Sequence, residues 1–310
     1  MTLTELRYIV AVARERHFGR AAEACFVSQP TLSVAIRKLE DELDVKIFER
    51  GSNEISLTPL GEAIVRQAQT VIEQASAIKE IAKRGKDPLS GPLKLGIIYT
   101  IGPYLLPQLV RHAIERTPQM PLMLQENFTV KLLDMLRTGE LDCAIMAEPF
   151  PDQGLAIAPL YDEPFAVAVP ANHPLASAST ISADTLKRET MLLLGTGHCF
   201  RDHVLEVCPE FARFSNDAEG IRKSFEGSSL ETIKHMVASG MGITVVPQLS
   251  VPRGASEGQP LVRYIPFEPP VPMRRVVLAW RRSFPRFEAI AELRNAVYAC
   301  DLGPAIKLSE

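Results

Sequence analysis

The sequence predicts an α/β chain of several folded units: a helical N-terminal unit closed by a short hairpin, one long helix, and a larger region of alternating strands and helices. Three observations predict it. The length of 310 residues exceeds what one core usually fills. Apolar positions recur at three and four residues through most of the first 58 positions, the helical period. Beyond residue 92, short apolar runs alternate with amphipathic stretches, the order of an α/β layer.

Composition narrows the class. Hydrophobic residues make up 46% and charged residues 23%, and no apolar run approaches the roughly 18 residues of a membrane helix. The opening MTLTELRYIV has no basic segment, long apolar stretch or small-residue cleavage site, so a cytoplasmic location is expected. Net charge is −3, and the first 58 residues hold eight Lys or Arg against nine Asp or Glu, so any DNA-binding patch must be local. Five cysteines in a cytosolic chain are not a disulfide framework, because that compartment keeps thiols reduced. A paired cysteine here is a regulated one.

Thr2-Leu3-Thr4-Glu5 has the spacing of a capping box, and Leu3, Leu6, Val10 and Ala13 continue it as an amphipathic helix. A short helix is expected over 19–26. Ser28 stands as the N-cap of a third helix with Pro30 in its first turn, and Leu32, Ile36, Leu39 and Leu43 form its buried stripe. The opposite face carries Gln29, Pro30, Thr31, Ser33 and Arg37, short polar groups spaced to reach base edges in a major groove. Lys38 and Arg20 are placed to meet phosphates. Strands at 46–50 and 54–57 around Gly51-Ser52-Asn53 form a wing with Arg50 at its base. Spacing alone equally allows an ordinary three-helix unit with a solvated face.

Thr58 and Pro59 begin a helix expected to run to about Arg84. Ile64, Ala68, Val71, Ala75, Ile78 and Ala82 form a heptad seam, which fits dimerisation; packing on its own chain is the other use of that face. The Gly-, Pro- and charge-rich stretch 85–92 marks a boundary. After it, strands are expected over 93–99, 122–127, 141–147 and 165–169, with helices over 105–116 and 130–137. Thr100 and Thr129 stand at strand ends and helix starts, either as ligand-binding hydroxyls or simply as N-caps.

The segment Gly195-Thr196-Gly197-His198-Cys199-Phe200-Arg201-Asp202-His203, followed by Cys208, concentrates the chemistry. A thiol reacts with peroxide as its thiolate, which neighbouring cations or a helix N-terminus favour. His198, Arg201 and the Gly-Thr-Gly loop supply such surroundings for Cys199. The resulting sulfenic acid is trapped as a disulfide when a second thiol, here Cys208, reaches it. If the intervening residues are helical, the two α-carbons stand roughly 13 Å apart, whereas a disulfide spans about 4.4 to 6.8 Å. Oxidation therefore requires that segment to unwind or fold back. Closing so short a loop constrains the chain by about 2 to 3 kcal/mol, less than the roughly 5.5 kcal/mol of a complete population swing. The chemistry of the bond must supply much of the remainder. Three other readings stand beside this one: two packed small side chains, a zinc set with His198 and His203, or the attacking and resolving pair of a peroxidase. Cys25 and Cys143 read as core residues, and Cys300 has no assigned role.

The run AAEACFVSQPTLSVAIRKLEDELDVKIFERGSNEISLTPLGEAIV resembles the signature of LysR-type transcriptional regulators across its whole length. GTGHCFRD, with a cysteine nine positions beyond Cys199, resembles the peroxide-sensing OxyR branch of that family, a likeness covering essentially the whole chain. The resemblance implies a winged helix-turn-helix over 1–58, a dimerising linker over 59–87, and a regulatory domain over 88–310 built like a periplasmic binding protein. Its two lobes face each other across a cleft, with lobe I near 88–163 and 267–310 and lobe II near 164–266. It implies that Cys199 is peroxidatic and Cys208 resolving, and that Thr100, Thr129, His198, Asp202 and Arg274 surround the peroxide. Arg275 is one position from Arg274, so the register there is open. It also implies a homotetramer on double-stranded promoter DNA that recruits RNA polymerase to antioxidant promoters, with no cofactor, no metal and no catalytic turnover.

Overall fold

A computed structural model describes residues 1–50, 55–83, 89–151, 154–211, 226–227, 229–253 and 261–308. Three helices, α1 (Leu3–Glu15), α2 (Phe18–Ala24) and α3 (Gln29–Leu43), enclose a core that includes Leu6, Ile9, Leu32, Ile36 and Leu39. The Thr2/Glu5 capping box is formed, and the Ser28 hydroxyl accepts from the Thr31 N–H. α2 starts and ends earlier than its apolar pattern suggests, because the His17 imidazole accepts from the Gly19 and Arg20 N–H groups. Phe26, expected inside it, instead occupies the turn at φ 56° with 95% of its surface exposed.

The strands are β1 (Phe48–Arg50) and β2 (Ile55–Leu57), paired antiparallel with Phe48 opposite Leu57. The expected tip, Gly51-Ser52-Asn53, lies outside the described residues, as does the side chain of Arg50. Buried Glu40 accepts from the Ile47 and Phe48 N–H groups, which fixes the hairpin on α3. Thr58 donates its hydroxyl to Lys46 O and accepts from the Gly61 N–H, starting α4 (Pro59–Lys83). A Cβ on Gly61 would stand 2.1 Å from Ile47 O, so only glycine allows this approach. Glu40 on α3 and the Thr58-Pro59-Leu60-Gly61 start of α4 thus hold the two sides of one junction around Ile47.

The heptad seam of α4 divides. Ala68 is buried with Val65 in the core of its own N-terminal unit, whereas Val71 and Ile78 are exposed; the Ala82 side chain and residues 84–88 lie outside the described residues. Farther along, Glu73 accepts from Gln69, Arg281 and Ser283, and Arg281 also donates to Leu136 O and Leu141 O. This buried polar set joins the linker to the regulatory region.

The regulatory region begins with β3 (Leu93–Ile98), α5 (Gly102–Arg116), β4 (Leu122–Asn127), α6 (Thr129–Arg137) and β5 (Cys143–Ala147). It continues through β6 (Leu155–Pro170), α7 (Ala183–Leu186), β7 (Leu193–Leu194), α8 (Cys199–Val207), β8 (Glu226–Gly227), α9 (Leu230–Ala238), β9 (Thr244–Pro247) and β10 (Val262–Pro266). It closes with β11 (Met273–Arg281), α10 (Phe287–Ala299) and β12 (Ile306–Lys307). The main sheet runs β10-β6-β11-β5-β3-β4, with β9 and β12 also on β6. β3 is parallel to β4 and β5, and β11 is antiparallel to β5 and β6.

The run 165–169, expected as a separate strand, is the second half of the 16-residue β6. The first half pairs β11 up to Pro164, and from Phe165 the same strand pairs β9 and β10 in a second sheet region. Pro159 sits beside a register shift against Val276 and Val277, where a missing N–H is tolerated. Two cores follow from this arrangement. One holds Leu95, Ile97, Leu132, Ile145 and Leu278; the other holds Phe165, Val167, Phe200, Ile233 and Val245. The chain leaves the first within β6 and returns between β10 and β11.

Candidate functional site

Two sites emerge. On α3, Gln29, Pro30, Thr31, Arg37 and Lys38 are exposed together and Ser33 is half-buried, while Leu32, Ile36 and Leu39 hold the opposite face in the core. Arg20 is exposed and donates to Glu15 O. Val34 lies on the same outward face, 64% exposed, and the polar pattern gave no signal for it.

The second site stands where three helices start. β3 ends at Ile98 and leads to α5; β4 ends at Asn127 and leads to α6; β7 leads through Gly197 to α8. Carboxyl ends of parallel strands and the helix starts after them are where α/β folds gather ligands, since unpaired N–H groups and the helix dipole favour negative charge. A cavity of about 10 Å³ open to the centre of a water molecule is lined by Ile98, Tyr99, Thr100, Asn127, Phe128, Thr129, Gly197, His198 and Cys199. That is about the room one water molecule needs. A cavity of metabolite size, about 910 Å³, lies elsewhere, between the N-terminal unit and the α6 side of the first lobe.

Cys199 is the first residue of α8, half-buried, and its side chain packs against the first core. His198 is the N-cap residue, its ring set edge-on to Tyr99 and Phe128 with centroids 5.8 and 4.8 Å away. Gly197 at φ +96° faces Phe128, a conformation and an approach that suit glycine. The Thr129 hydroxyl is buried and has no hydrogen-bond partner among the described residues. Thr100 Oγ1 accepts from Arg274 Nη1 at 2.8 Å, so its own proton remains a donor.

Arg274 does not line the cavity; it stands behind it. Its guanidinium also donates to Thr100 O at 3.0 Å and to Glu163 Oε2 at 2.8 Å, and Glu163 in turn accepts from the Leu249 N–H. Arg274 and Glu163 are fully buried, whereas Arg275 is exposed and pairs with Asp162. The two-residue period of β11 turns only Arg274 inward. Asp202 is exposed on the first turn of α8 and outside the lining, and buried Arg201 donates to Leu194 O rather than facing the cavity. Tyr99, Asn127 and Phe128 also line it. The signal that could have found them is adjacency to Thr100 and Thr129.

Cys208 caps the other end of α8, 1% exposed in the second core, and burial pushes its thiol up to about 11. Cys300 is likewise pushed up to about 11 by burial, Cys143 is fully buried with its thiol pushed well up, and burial raises Cys25. Among the described residues no three His, Cys, Asp or Glu side chains converge as a metal set would.

The chain matches two family descriptions: the bacterial regulatory helix-turn-helix protein of the lysR family over residues 3–62, and the LysR substrate binding domain over residues 86–299. It is 41% identical over 295 residues to the hydrogen peroxide-inducible genes activator of Pectobacterium carotovorum subsp. carotovorum, covering 94% of this chain and 95% of the relative. A full-length OxyR structure from Pseudomonas aeruginosa is 51% identical, covers 100% of this chain and 98% of its own, and superimposes with a TM-score of 0.83. An H2O2-bound OxyR mutant from Corynebacterium glutamicum is 33% identical over 96% of this chain and 91% of its own, with a TM-score of 0.61.

Proposed function

The chain belongs to the LysR family of DNA-binding transcriptional regulators, in its OxyR branch, and from that premise we propose that it senses hydrogen peroxide by oxidation of Cys199 and disulfide formation with Cys208, controlling antioxidant genes. The observation that carries this reading is the small cavity at Cys199: it sits at the start of α8 and is walled by the buried Thr129 hydroxyl, which has no hydrogen-bond partner among the described residues. The likeness to an H2O2-bound OxyR mutant supports the same ligand.

In the first step the Cys199 thiolate attacks one peroxide oxygen. The S–O bond forms as the O–O bond breaks, and the departing hydroxide takes a proton to leave as water. Thr129 and Thr100 donate hydrogen bonds to the oxygen on which charge develops, with Arg274 and Glu163 holding Thr100 in place. His198 closes the cavity. In the second step the Cys208 sulfur attacks Cys199 Sγ, the S–O bond breaks, and the oxygen leaves as water. Net, two thiols and one peroxide become one disulfide and two waters.

At the other end of the molecule, Gln29, Pro30, Thr31, Ser33 and Arg37 read bases, and Lys38 and the wing's Arg50 hold phosphates. Residues 1–58 form the DNA-binding unit, 59–87 the linker and 88–310 the regulatory domain. Val71 and Ile78, exposed on α4, support a dimer through the linker, whose two-fold axis calls for half-sites on pseudo-palindromic DNA. Ile114, Met123 and Leu124, exposed on α5 and the edge strand β4, support a second contact and hence a tetramer. The regulator works in the cytoplasm and recruits RNA polymerase.

One equivalent of peroxide added to reduced protein, with disulfides mapped by mass spectrometry and promoter contacts by footprinting, tests the reading. A Cys199–Cys208 bridge with a shifted footprint is expected. Absence of the bridge, or a bridge with an unchanged footprint, overturns it.

A further inference from the structure

α8 carries Cys199 at its first residue and Cys208 just past its last, and His203 lies midway between them. This imidazole is buried, and its Nε2–H donates to the main-chain carbonyl of Glu148 at 2.7 Å. Glu148 follows β5 in the first lobe, whereas α8 packs its Phe200, Val204 and Cys208 into the second core. The bond therefore ties the redox helix across the two lobes. The other ring nitrogen, Nδ1, is buried and has no hydrogen-bond partner among the described residues. Nothing in the peroxide chemistry uses this group.

We propose that His203 is the positioning residue of the switch: its hydrogen bond to Glu148 O holds α8 in the reduced arrangement, and the disulfide closes only after that bond is released. The inference rests on Cys199 and Cys208 being the redox pair. Bringing two sulfurs from opposite ends of a two-turn helix into bonding range requires α8 to unwind, and His203 is carried with it. Resolution then proceeds as Cys208 sulfur attacks Cys199 Sγ and the S–O bond breaks, oxygen leaving as water.

The strap is acid-sensitive. The docked ring is surrounded by Phe165 and Phe200, with Arg274 of β11, paired to Glu163 of β6, adding positive charge; Asp202 and Glu206 on its own helix oppose this weakly. A proton added at Nδ1 has no acceptor among the described residues, and burial lowers the imidazole below its ordinary value. Released, the ring titrates near about 6.5. Release is therefore favoured as pH falls through the ordinary histidine range and opposed above it.

The test follows sulfenic acid and disulfide on Cys199 by rapid acid quench, alkylation and mass spectrometry in the full-length wild type, His203→Ala and His203→Gln. His203→Ala should resolve about five- to tenfold faster, the worth of one buried hydrogen bond, with the first oxidation unchanged. His203→Gln, whose amide can donate to the same carbonyl without titrating, should resolve like the wild type at pH 7.5. Between pH 7.5 and 5.5 the ratio of wild-type to His203→Gln rates should rise up to about tenfold, and taking the ratio cancels the titration of Cys208 itself. Equal or slower resolution in His203→Ala, or a flat ratio, overturns the proposal. If His203→Ala does not fold, the His203→Gln ratio decides alone. Hydrogen exchange of the α8 amides in reduced protein reads the strap without any disulfide: faster exchange in His203→Ala supports it, and unchanged exchange overturns it. A wild type that forms no bridge while its α8 exchange responds to His203→Ala sinks the redox pairing instead.

Discussion

The two ends of α8 are nine residues apart and belong to different environments. The Cys199 end opens on a small cavity at a helix start and packs on the first core, whereas the Cys208 end is sealed in the second core with its thiol pushed up to about 11. The difference teaches that a cysteine pair need not be a preformed dithiol. On the proposed mechanism Cys199 reacts first while burial keeps the Cys208 thiol protonated, and a rearrangement of the helix brings the two together, an ordering that would protect the second thiol until the first has reacted.

Cys199→Ser would break this comparison at its reactive end. Every peroxide-dependent change in footprint should vanish, with reduced-state DNA binding unchanged by gel shift; a residual response would place the sensor elsewhere. At the sealed end, Cys208→Ser should leave the first oxidation intact but trap Cys199 as sulfenic acid, which mass spectrometry will find progressing to sulfinic acid under excess peroxide. The buried hydroxyl also costs about 1 to 3 kcal/mol of stability in denaturant titrations. Thr129→Val sharpens the comparison from the cavity side. It removes a hydrogen-bond donor at nearly constant shape, so stopped-flow oxidation of Cys199 should slow about tenfold, with resolution by Cys208 unaffected.

The smallest expected effect is a pH dependence. Because burial raises the Cys208 thiol, the folded state holds its proton more tightly than the unfolded chain, so the associated stability is full below the ordinary thiol value. It is lost as pH rises from about 9 through about 11. Thermal unfolding of reduced protein across that window should show the decline, shallower in Cys208→Ala; Cys300, shifted the same way, leaves a remainder.

Much of the N-terminal unit was legible in the sequence, because caps, apolar stripes and turn residues act on neighbours within a few positions. The capping box at Thr2, the Ser28 cap, the hairpin and the start of α4 are all of this kind. The end of α2 was not, since the helix closes by the Val27 N–H donating to Ala22 O around Phe26 at φ 56°, a left-handed position where a phenylalanine gives none of the signal a glycine would. In the regulatory region, short runs such as 122–127 read correctly, but β6 did not. Its prolines resemble breaks until the β11 pairing shows a bulge that accommodates Pro159.

By itself the sequence determined the fold class and the helix-turn-helix unit, because residue type and local period suffice for these, and it singled out Cys199 and Cys208 as a candidate redox pair. Only the tertiary structure decided that Arg274 rather than Arg275 turns inward, that Asp202 faces out of the cavity, that half the linker seam is spent on the chain's own core, and that the two cysteines lie in separate cores. The choice of Arg274 depends on pairings between residues more than a hundred positions apart, with Glu163 and Thr100. Side-chain direction at such a site is set by strand register and lobe packing, and neither leaves a local pattern in the chain.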